Sequence, residues 1–531
     1  MEKDGKHTAS FNAAPDMEDS STGDGVTRAR ETEQIKRDLE SRHINMIAIA
    51  GMIGTGLFLS SGTVIATAGP AGALLAYIVM GIGTAGVSYT TGEITAFMPC
   101  TGGFIRHATK FVEPALGAAT GWNFWYTMAI SVPAEISAAA TIVQYWNWWV
   151  SPAVWITVFL VFIMALNFCG VRLYGESEFI FASLKIMLII GLIIGGLVVD
   201  LGGGPNHERL GFLYWYSPGA FNTYIKTGNA GRFLSFWKVL LSAAFSYGNI
   251  QVVAISGSET QNPRQIIPAA TKKTFYRVFV FYVLSILIVG MIVSPPFVIA
   301  FARAGISVVP SIINAVVCTS AISSASACVF IASRTLYGLS RDGHAPALFQ
   351  RCNRFGTPHY AVGLTCLLLP LVYLNVGNDT AVVFGWFVNI TTVAGLIGWI
   401  VIEITYIRFH AGLKAQGSPY KSPGQPYVAW ATLLVVFLVV FFSGFDVFVD
   451  GKFTATGFLT CYLNVFIFAA FYIFFKLFLK SKVVPLEKID FASEFEAIRQ
   501  EKAEADWYEA QEEKHHTNPW LARLSKLMHM I

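Results

Sequence analysis

Three glycines within six residues, Gly51-Met52-Ile53-Gly54-Thr55-Gly56, interrupt an otherwise apolar run from Ile44 to Ala68. Each glycine costs roughly 1 kcal/mol of helix stability relative to alanine, and hydrocarbon offers an unwound peptide no hydrogen-bond partner. The amides and carbonyls released there must face protein, water or a ligand. A second interruption, Ser246-Tyr247-Gly248-Asn249, falls inside the apolar stretch from Phe236 to Ser256. Two ionisable residues also stand in apolar runs, Lys185 in Phe181-Ala182-Ser183-Leu184-Lys185-Ile186-Met187 and Glu135 in Val132-Pro133-Ala134-Glu135-Ile136. A charge at the centre of a bilayer costs at least roughly 2.5 kcal/mol on insertion scales, so an intramembrane ionisable residue is a functional candidate by default. Broken helices suit the holding of a small polar solute by backbone dipoles. A buried amine and a buried carboxyl suit uptake and release of a proton. The competing structural readings are close helix packing through small residues, a lysine that snorkels to the interface and a carboxyl bonded to a neighbouring helix.

The elements that position these residues are membrane spans. The 531 residues are 54% hydrophobic and 13% charged with a mean hydropathy of +0.54, which selects a polytopic all-α membrane protein over a soluble one. A span needs about 20 apolar residues, and about twelve candidates follow one another: Ile44–Ala66, Ala73–Met98, Leu116–Trp146, Val154–Cys169, Ala182–Leu201, Phe236–Ser256, Val278–Val293, Ile312–Leu336, Ala361–Val376, Ala381–Ile404, Val428–Phe448 and Gly457–Phe478. An even count puts both tails on one side. Arg106, Lys110, Arg172, Arg264, Lys272, Lys273, Arg341, Arg351, Arg354, Arg408 and Lys414 fall in the loops on that side, while the opposite loops hold chiefly Arg209, Lys226, Arg232, Arg303 and Lys452. The positive-inside bias makes both termini cytoplasmic. The net charge of +4 follows from that bias and gives no reason to invoke nucleic acid.

Residues 1–41 are polar and charged and read as a disordered tail without a signal-peptide core. Residues 42–480 form the transmembrane domain, and residues 481–531 a cytoplasmic tail in which Phe491, Phe495, Ile498 and Trp507 recur at loosely helical spacing, as in a surface-lying helix. These tails could engage cytoplasmic trafficking machinery. The cysteines lie in spans or near their cytoplasmic ends, which argues against a disulfide framework. The histidines fall in tails and loops, so no intramembrane metal site or histidine-based catalytic cluster is expected, nor any enzyme.

Several motifs then point to one family: Arg42-His43-Ile44 followed by Gly51 to Phe58; Gly92-Glu93-Ile94 with Pro99 and Gly102-Gly103-Phe104; Gly121-Trp122-Asn123; Glu259 with Asn262-Pro263-Arg264; Pro310-Ser311-Ile312-Ile313-Asn314; and Ser333-Arg334-Thr335-Leu336-Tyr337-Gly338-Leu339 continuing to Asp342-Gly343-His344-Ala345-Pro346. In this order and spacing the chain resembles the amino acid–polyamine–organocation transporters, specifically the yeast amino acid transporter branch of fungal permeases. The resemblance implies the five-plus-five inverted repeat of the leucine-transporter-like fold with two extra C-terminal spans, the first and sixth spans being unwound at the site. Interrupted spans in corresponding positions of two repeats are also the general pointer to a transporter site. Two features depart from the pattern. The connection from Val293 to Pro310 is short, and Gln251 stands where many relatives carry a glutamate.

On this resemblance Gly51, Ile53, Gly54, Thr55 and Gly56 hold the substrate carboxylate, helped by the positive end of the second half-helix. Phe245, Ser246 and Gly248 offer carbonyls to its ammonium, and Phe245 is an aromatic gate. Lys185 matches the lysine whose ammonium replaces a sodium ion in proton-coupled relatives, with Glu135 a second candidate for proton coupling. Glu93, Glu259, Arg334 and Asp342 serve gates or structural contacts at inner ends. The expected function is proton-coupled symport of an L-amino acid across the fungal plasma membrane by alternating access, with substrate, protons and the lipid bilayer as partners and no cofactor. Because Thr55, Ser246, Tyr247 and Asn249 bring no charge to the site segments, a neutral substrate such as proline is favoured. The alternatives are transport of cationic amino acids or of polyamine- or choline-type cations, with Glu135 as counter-ion, and a non-transporting nutrient sensor.

Overall fold

The computed structural model describes residues 54–100, 102–146, 149–168, 171–203, 207, 209–252, 263–292, 308–353, 356–417, 424–449, 453–500 and 503. Among them are helices, turns and loops, and no strand. The helices are α1 (Ser61–Phe97), α2 (Phe104–Phe111), α3 (Pro114–Val143), α4 (Pro152–Phe168), α5 (Val171–Asp200), α6 (Gly228–Ser246), α7 (Pro263–Ile292), α8 (Val308–Arg341), α9 (His359–Cys366), α10 (Thr380–Ala415), α11 (Tyr427–Phe441) and α12 (Ala455–Leu479). Seven helical stretches are long and apolar enough to cross a membrane, and three shorter apolar ones, Pro152–Phe168, Val278–Ile292 and Tyr427–Phe441, accompany them.

The first of these stretches, Gly56–Phe97, has 42 residues. At 1.5 Å per residue that is about twice the bilayer core. It accommodates the first two expected spans because it folds at Gly69, where φ is +77° and Pro70 follows. Only glycine suits this corner: a Cβ there would lie 2.7 Å from the Ala220 carbonyl oxygen and 2.9 Å from the Asn222 nitrogen. The same loop pins the bend through Ala71 N–H to Ala220 O at 2.9 Å and Asn222 N–H to Ala68 O at 3.1 Å.

One expected boundary needs correction. The span placed at Ala182–Leu201 begins at Val171, because Glu176 and Glu178 depress the apolar signal of its first turns without ending the helix. Lys185 therefore sits mid-helix. The span placed at Ala361–Val376 is the short α9 followed by a 3₁₀ stretch, Leu369–Val376, with Pro370 at its start.

Packing divides the helices into two groups. α1 packs against α6 and α7, while α3 packs against α8 and α10; α5 touches both α7 and α8, and α10 also reaches α1 and α6. α3 is the most enclosed, with 89% of its apolar window buried. Its small residues let several neighbours approach closely: Ala115, Ala118 and Ala119 pack with Phe475 of α12, and Ala134 and Ala138 pack with Val383, Phe384, Phe387 and Val388 of α10.

At the end of the bundle that carries α2, the segment after α12 closes over the helices. Val484 N–H donates to Val112 O at 2.9 Å, and Arg408 donates to Phe111 O at 3.0 Å and Val484 O at 2.5 Å. Phe491, only 2% exposed, meets the rings of Phe97, Phe111 and Phe409 at 5.8–5.9 Å between centroids. Residues 492–500 are helical. The apolar side of this segment is thus spent on the protein rather than on a surface. Trp507, the tail 1–41 and the Val293–Pro310 connection lie outside the described residues or at their edge.

Candidate functional site

Helix α6 stops at Ser246. Residues 247–251 run as turns, and Asn249 adopts a left-handed φ of 67°, a conformation that asparagine tolerates better than most residues. Opposite it, Gly54 lies in a bend, and Gly56–Ser60 form a wide π turn that leads into α1. Such π turns recur at functional sites. The two interruptions read from sequence therefore face each other. A Cβ on Gly56 would come within 2.9 Å of both Ser246 Cα and Ser246 Oγ, and one on Gly54 would come within 2.6 Å of Glu135 Oε1. A side chain at Gly56 would push the two segments apart, and one at Gly54 would displace the Glu135 carboxyl.

Between them lies a small cavity of about 30 Å³ lined by Gly54, Gly56, Ser131, Glu135, Phe245, Ser246, Gly248, Asn249, Ser324 and Cys328. One wall comes from the α1–α6 group and the other from α3 and α8. An adjoining cavity of about 40 Å³ shares Ser131, Phe245, Gly248 and Asn249 and extends between α3 and α10 to Thr127, Thr391, Thr392 and Trp399. Phe245 stands at the junction, half-buried. Its ring meets Phe384 of α10 edge-on, with centroids 6.3 Å apart, and packs on the cluster of Ala138, Phe384 and Val388. The break in α6 is braced from behind, where the Tyr77 and Ser246 hydroxyls are 2.9 Å apart and Tyr247 packs between the rings of Tyr77 and Tyr282. Gln251 accepts a hydrogen bond from the Trp399 indole at 3.0 Å, so in this chain that position ties α6 to α10.

Behind the cavity wall lies the buried amine. Lys185, 1% exposed, donates to Ser324 Oγ at 3.1 Å. Its Nζ is 4.0 Å from Oε1 of Glu178, an equally buried carboxyl on the same helix that accepts a hydrogen bond from Ser323 at 2.8 Å. A snorkelling lysine is excluded by this burial. Glu135, 6% exposed, belongs to the same charge cluster, with its carboxylate against Gly54 and Thr55. Ser324 lines the cavity and bonds Lys185, so it connects the two. Oε2 of Glu135 and Oγ1 of Thr55 are buried without a protein hydrogen-bond partner among the described residues, at the place where a polar solute would dock.

Of the residues singled out from sequence, Gly54, Thr55, Gly56, Phe245, Ser246, Gly248, Lys185 and Glu135 come together here, and Gly51, Ile53 and Glu259 lie outside the described residues. Glu93 accepts from Tyr406 at 2.7 Å and lies away from the cavity. Asp342 pairs with Arg106 at 2.5 Å, while Arg334 lies over the Phe330 ring, both at the C-terminal end of α8. Sequence reasoning named Asn249 in the second interruption but missed Ser131, Ser324, Cys328 and Glu178. Its preference for a neutral substrate counted only the broken segments, and Glu135 from α3, which it offered as counter-ion for a cationic substrate, lines the same cavity. Among the described residues no group of three or more His, Cys, Asp or Glu could hold a metal ion.

Residues 43–487 match the amino acid permease family. The chain belongs to that family. The permease is 42% identical over 478 residues to a proline-specific permease of Emericella nidulans, covering 85% of this chain and 87% of the relative. It is 37% identical to a dicarboxylic amino acid permease of Saccharomyces cerevisiae (91% and 84% covered) and 36% identical to a lysine-specific permease of the same yeast (88% and 80%). These matches make it a fungal-type amino acid permease, a membrane transport protein and not an enzyme. Its fold is that of a manganese transporter from Eremococcus coleocola, with a TM-score of 0.54 at 11% identity, covering 86% of this chain and 96% of the other. The leucine-transporter-like architecture expected from the motifs agrees with that likeness.

Proposed function

We propose that the permease carries L-amino acids, neutral ones such as proline first among them, inward across the plasma membrane together with protons. The observation that carries this reading is the meeting of the two helix breaks in one cavity with a buried amine one hydrogen bond behind its wall. Amides of the Gly54–Gly56 turn suit a carboxylate, and carbonyls freed beyond Ser246 suit an ammonium, so the zwitterionic head common to amino acids is recognised without a dedicated charged pair. Twelve spans arranged as five-plus-five with two appended, both termini cytoplasmic, let the α1–α6–α7 group rock against the α3–α8 group around this cavity, with Phe245 closing over the substrate. Lys185 takes the place that a sodium ion holds in sodium-coupled carriers of this fold, and Glu135 exchanges protons with it. No cofactor is required.

The preference for neutral substrates rests on the balance of Glu135 by Lys185 and on the proline-specific relative. A second reading, uptake of cationic amino acids, is favoured by one observation: Glu135 lines the cavity itself. Radiolabelled uptake challenged with each of twenty amino acids and spermidine decides between them. Strong competition by proline or alanine supports the first reading, and strongest competition by arginine, lysine or spermidine supports the second. Uptake that requires sodium and ignores a protonophore would sink the coupling scheme. Phe245→Ala should harm transport more than binding, and Phe245→Trp should be milder; equal losses of both in the alanine variant would return Phe245 to core packing.

A further inference from the structure

Lys185 lies between two carboxyl groups, and only one of them touches the cavity. Glu178 precedes it by seven residues on α5, two turns away and so on the same face. Helical side chains lean toward the N-terminus, and the lysine leans back far enough to bring Nζ within 4.0 Å of Glu178 Oε1. Both residues are 1% exposed. Ser323 and Ser324, adjacent on α8, hold the two side chains separately, Ser323 donating to Glu178 and Ser324 accepting from Lys185. The other titratable groups facing this face are Glu135 from α3 and Cys328 from α8. With every acid and the amine ionised, the cluster of Glu135, Lys185 and Glu178 would carry one net negative charge in a protein interior, and burying uncompensated charge is costly. One bound proton removes it.

Resting on the coupling reading above, we propose that Glu178 is the inner proton acceptor of this permease, the group through which the coupled proton leaves the Lys185 amine toward the cytoplasmic, N-terminal end of α5. The Lys185 ammonium passes one proton to a Glu178 carboxylate oxygen, giving a neutral amine and a neutral acid. Glu178 releases that proton to water at the inner side and becomes a carboxylate again. Glu135, protonated from the outer side, returns a proton to the amine. One proton crosses per cycle and no electron moves. The 4.0 Å separation is beyond a direct hydrogen bond, and a change of lysine rotamer or one bridging water closes it.

The test uses the full chain in proteoliposomes, with radiolabelled L-proline and an internal pH dye. For Glu178→Gln, exchange at equal substrate on both sides should fall no more than about threefold, while accumulation against a gradient and proline-driven proton influx fall more than about tenfold. Glu178→Asp keeps the charge but shortens the reach; it should slow proton influx about threefold with exchange intact, and it carries the test if the glutamine variant fails to fold. Full coupling in both Glu178 variants, with coupling lost in Lys185→Ala, would overturn the role of Glu178 and leave the lysine scheme standing. Full coupling in Lys185→Ala, or a wild type that moves no protons, would overturn both.

Discussion

Two regions of the permease, the cavity and the segment after α12, are built on opposite rules. At the cavity, α6 ends and a π turn leads into α1, contacts run through backbone and small side chains, and polar atoms such as Thr55 Oγ1 and Glu135 Oε2 have no hydrogen-bond partner among the described residues. Under residues 484–495, aromatic rings meet edge to face, arginine forks bind main-chain carbonyls, and Glu494 is paired with both Lys110 and Arg264. A site that must bind and release keeps its interactions incomplete until a ligand arrives. A clamp that ties α1, α2 and α10 together is instead held by ring packing, ion pairs and main-chain hydrogen bonds within the chain.

The sharpest way to break the comparison is Gly56→Leu. A single added carbon already lies 2.9 Å from Ser246 backbone, so the larger side chain must separate the two breaks. Uptake should fall below about one hundredth of wild type with surface abundance retained, a loss of roughly 3 kcal/mol or more. Uptake of an amino acid methyl ester by the wild type at the rate of the free acid would remove the carboxylate from this turn. Next in size is Phe491→Ala. Removing a buried phenylalanine costs about 3–5 kcal/mol, so the detergent-solubilised variant should melt earlier, while proline competes for the remaining transport with unchanged affinity. A changed affinity would mean that clamp and site act as one unit.

The cavity half of this contrast was legible in the sequence and the clamp half was not. Glycines inside an apolar run and a lysine in hydrocarbon are local anomalies, and local anomalies survive without knowledge of the fold. Ser131, Ser324 and Cys328 carry no such mark, since each becomes a site residue only when α3 and α8 are brought opposite Gly54. Glu178 could have been found from its seven-residue spacing to Lys185, but the charges near the start of α5 moved the expected span boundary past it. Phe491 read as amphipathic, and nothing near it in sequence says whether membrane or protein takes its apolar side. The bend at Gly69 likewise depends on the loop around Ala220, about 150 residues away.

His107 of α2, at the clamp, gives a pH-dependent test of intermediate size. It is 1% exposed, its Nε2–H donates to Met98 O at 2.9 Å, and Nδ1 has no partner among the described residues. Burial pushes its pKa down to about 4 from 6.5. The unfolded chain therefore binds the extra proton first as pH falls, so this histidine's contribution is fully present above pH 6.5 and is lost between 6.5 and 4, about 3 kcal/mol in all. Melting temperature should drop across that window. His107→Gln, which keeps a donor for Met98 but does not titrate, should flatten the drop; an unchanged slope would place the acid sensitivity elsewhere.

The smallest effect is expected from Lys110→Ala. The Lys110–Glu494 pair spans 3.2 Å, with 30% and 19% of the two side chains exposed, and Glu494 keeps Arg264 at 3.4 Å when the lysine is gone. Partly solvated pairs of this kind contribute about 0–1 kcal/mol, and salt screens them. The variant should melt within about 2 °C of wild type, and raising the salt to about 1 M should reproduce its effect on the wild type. Phe491→Ala, by contrast, should be indifferent to salt, because ring packing has no charge to screen. A Lys110→Ala loss as large as that of Phe491→Ala would show that ion pairs and not rings hold the clamp, and the opposition between a packed end and an open cavity would then be one of charge instead of completeness.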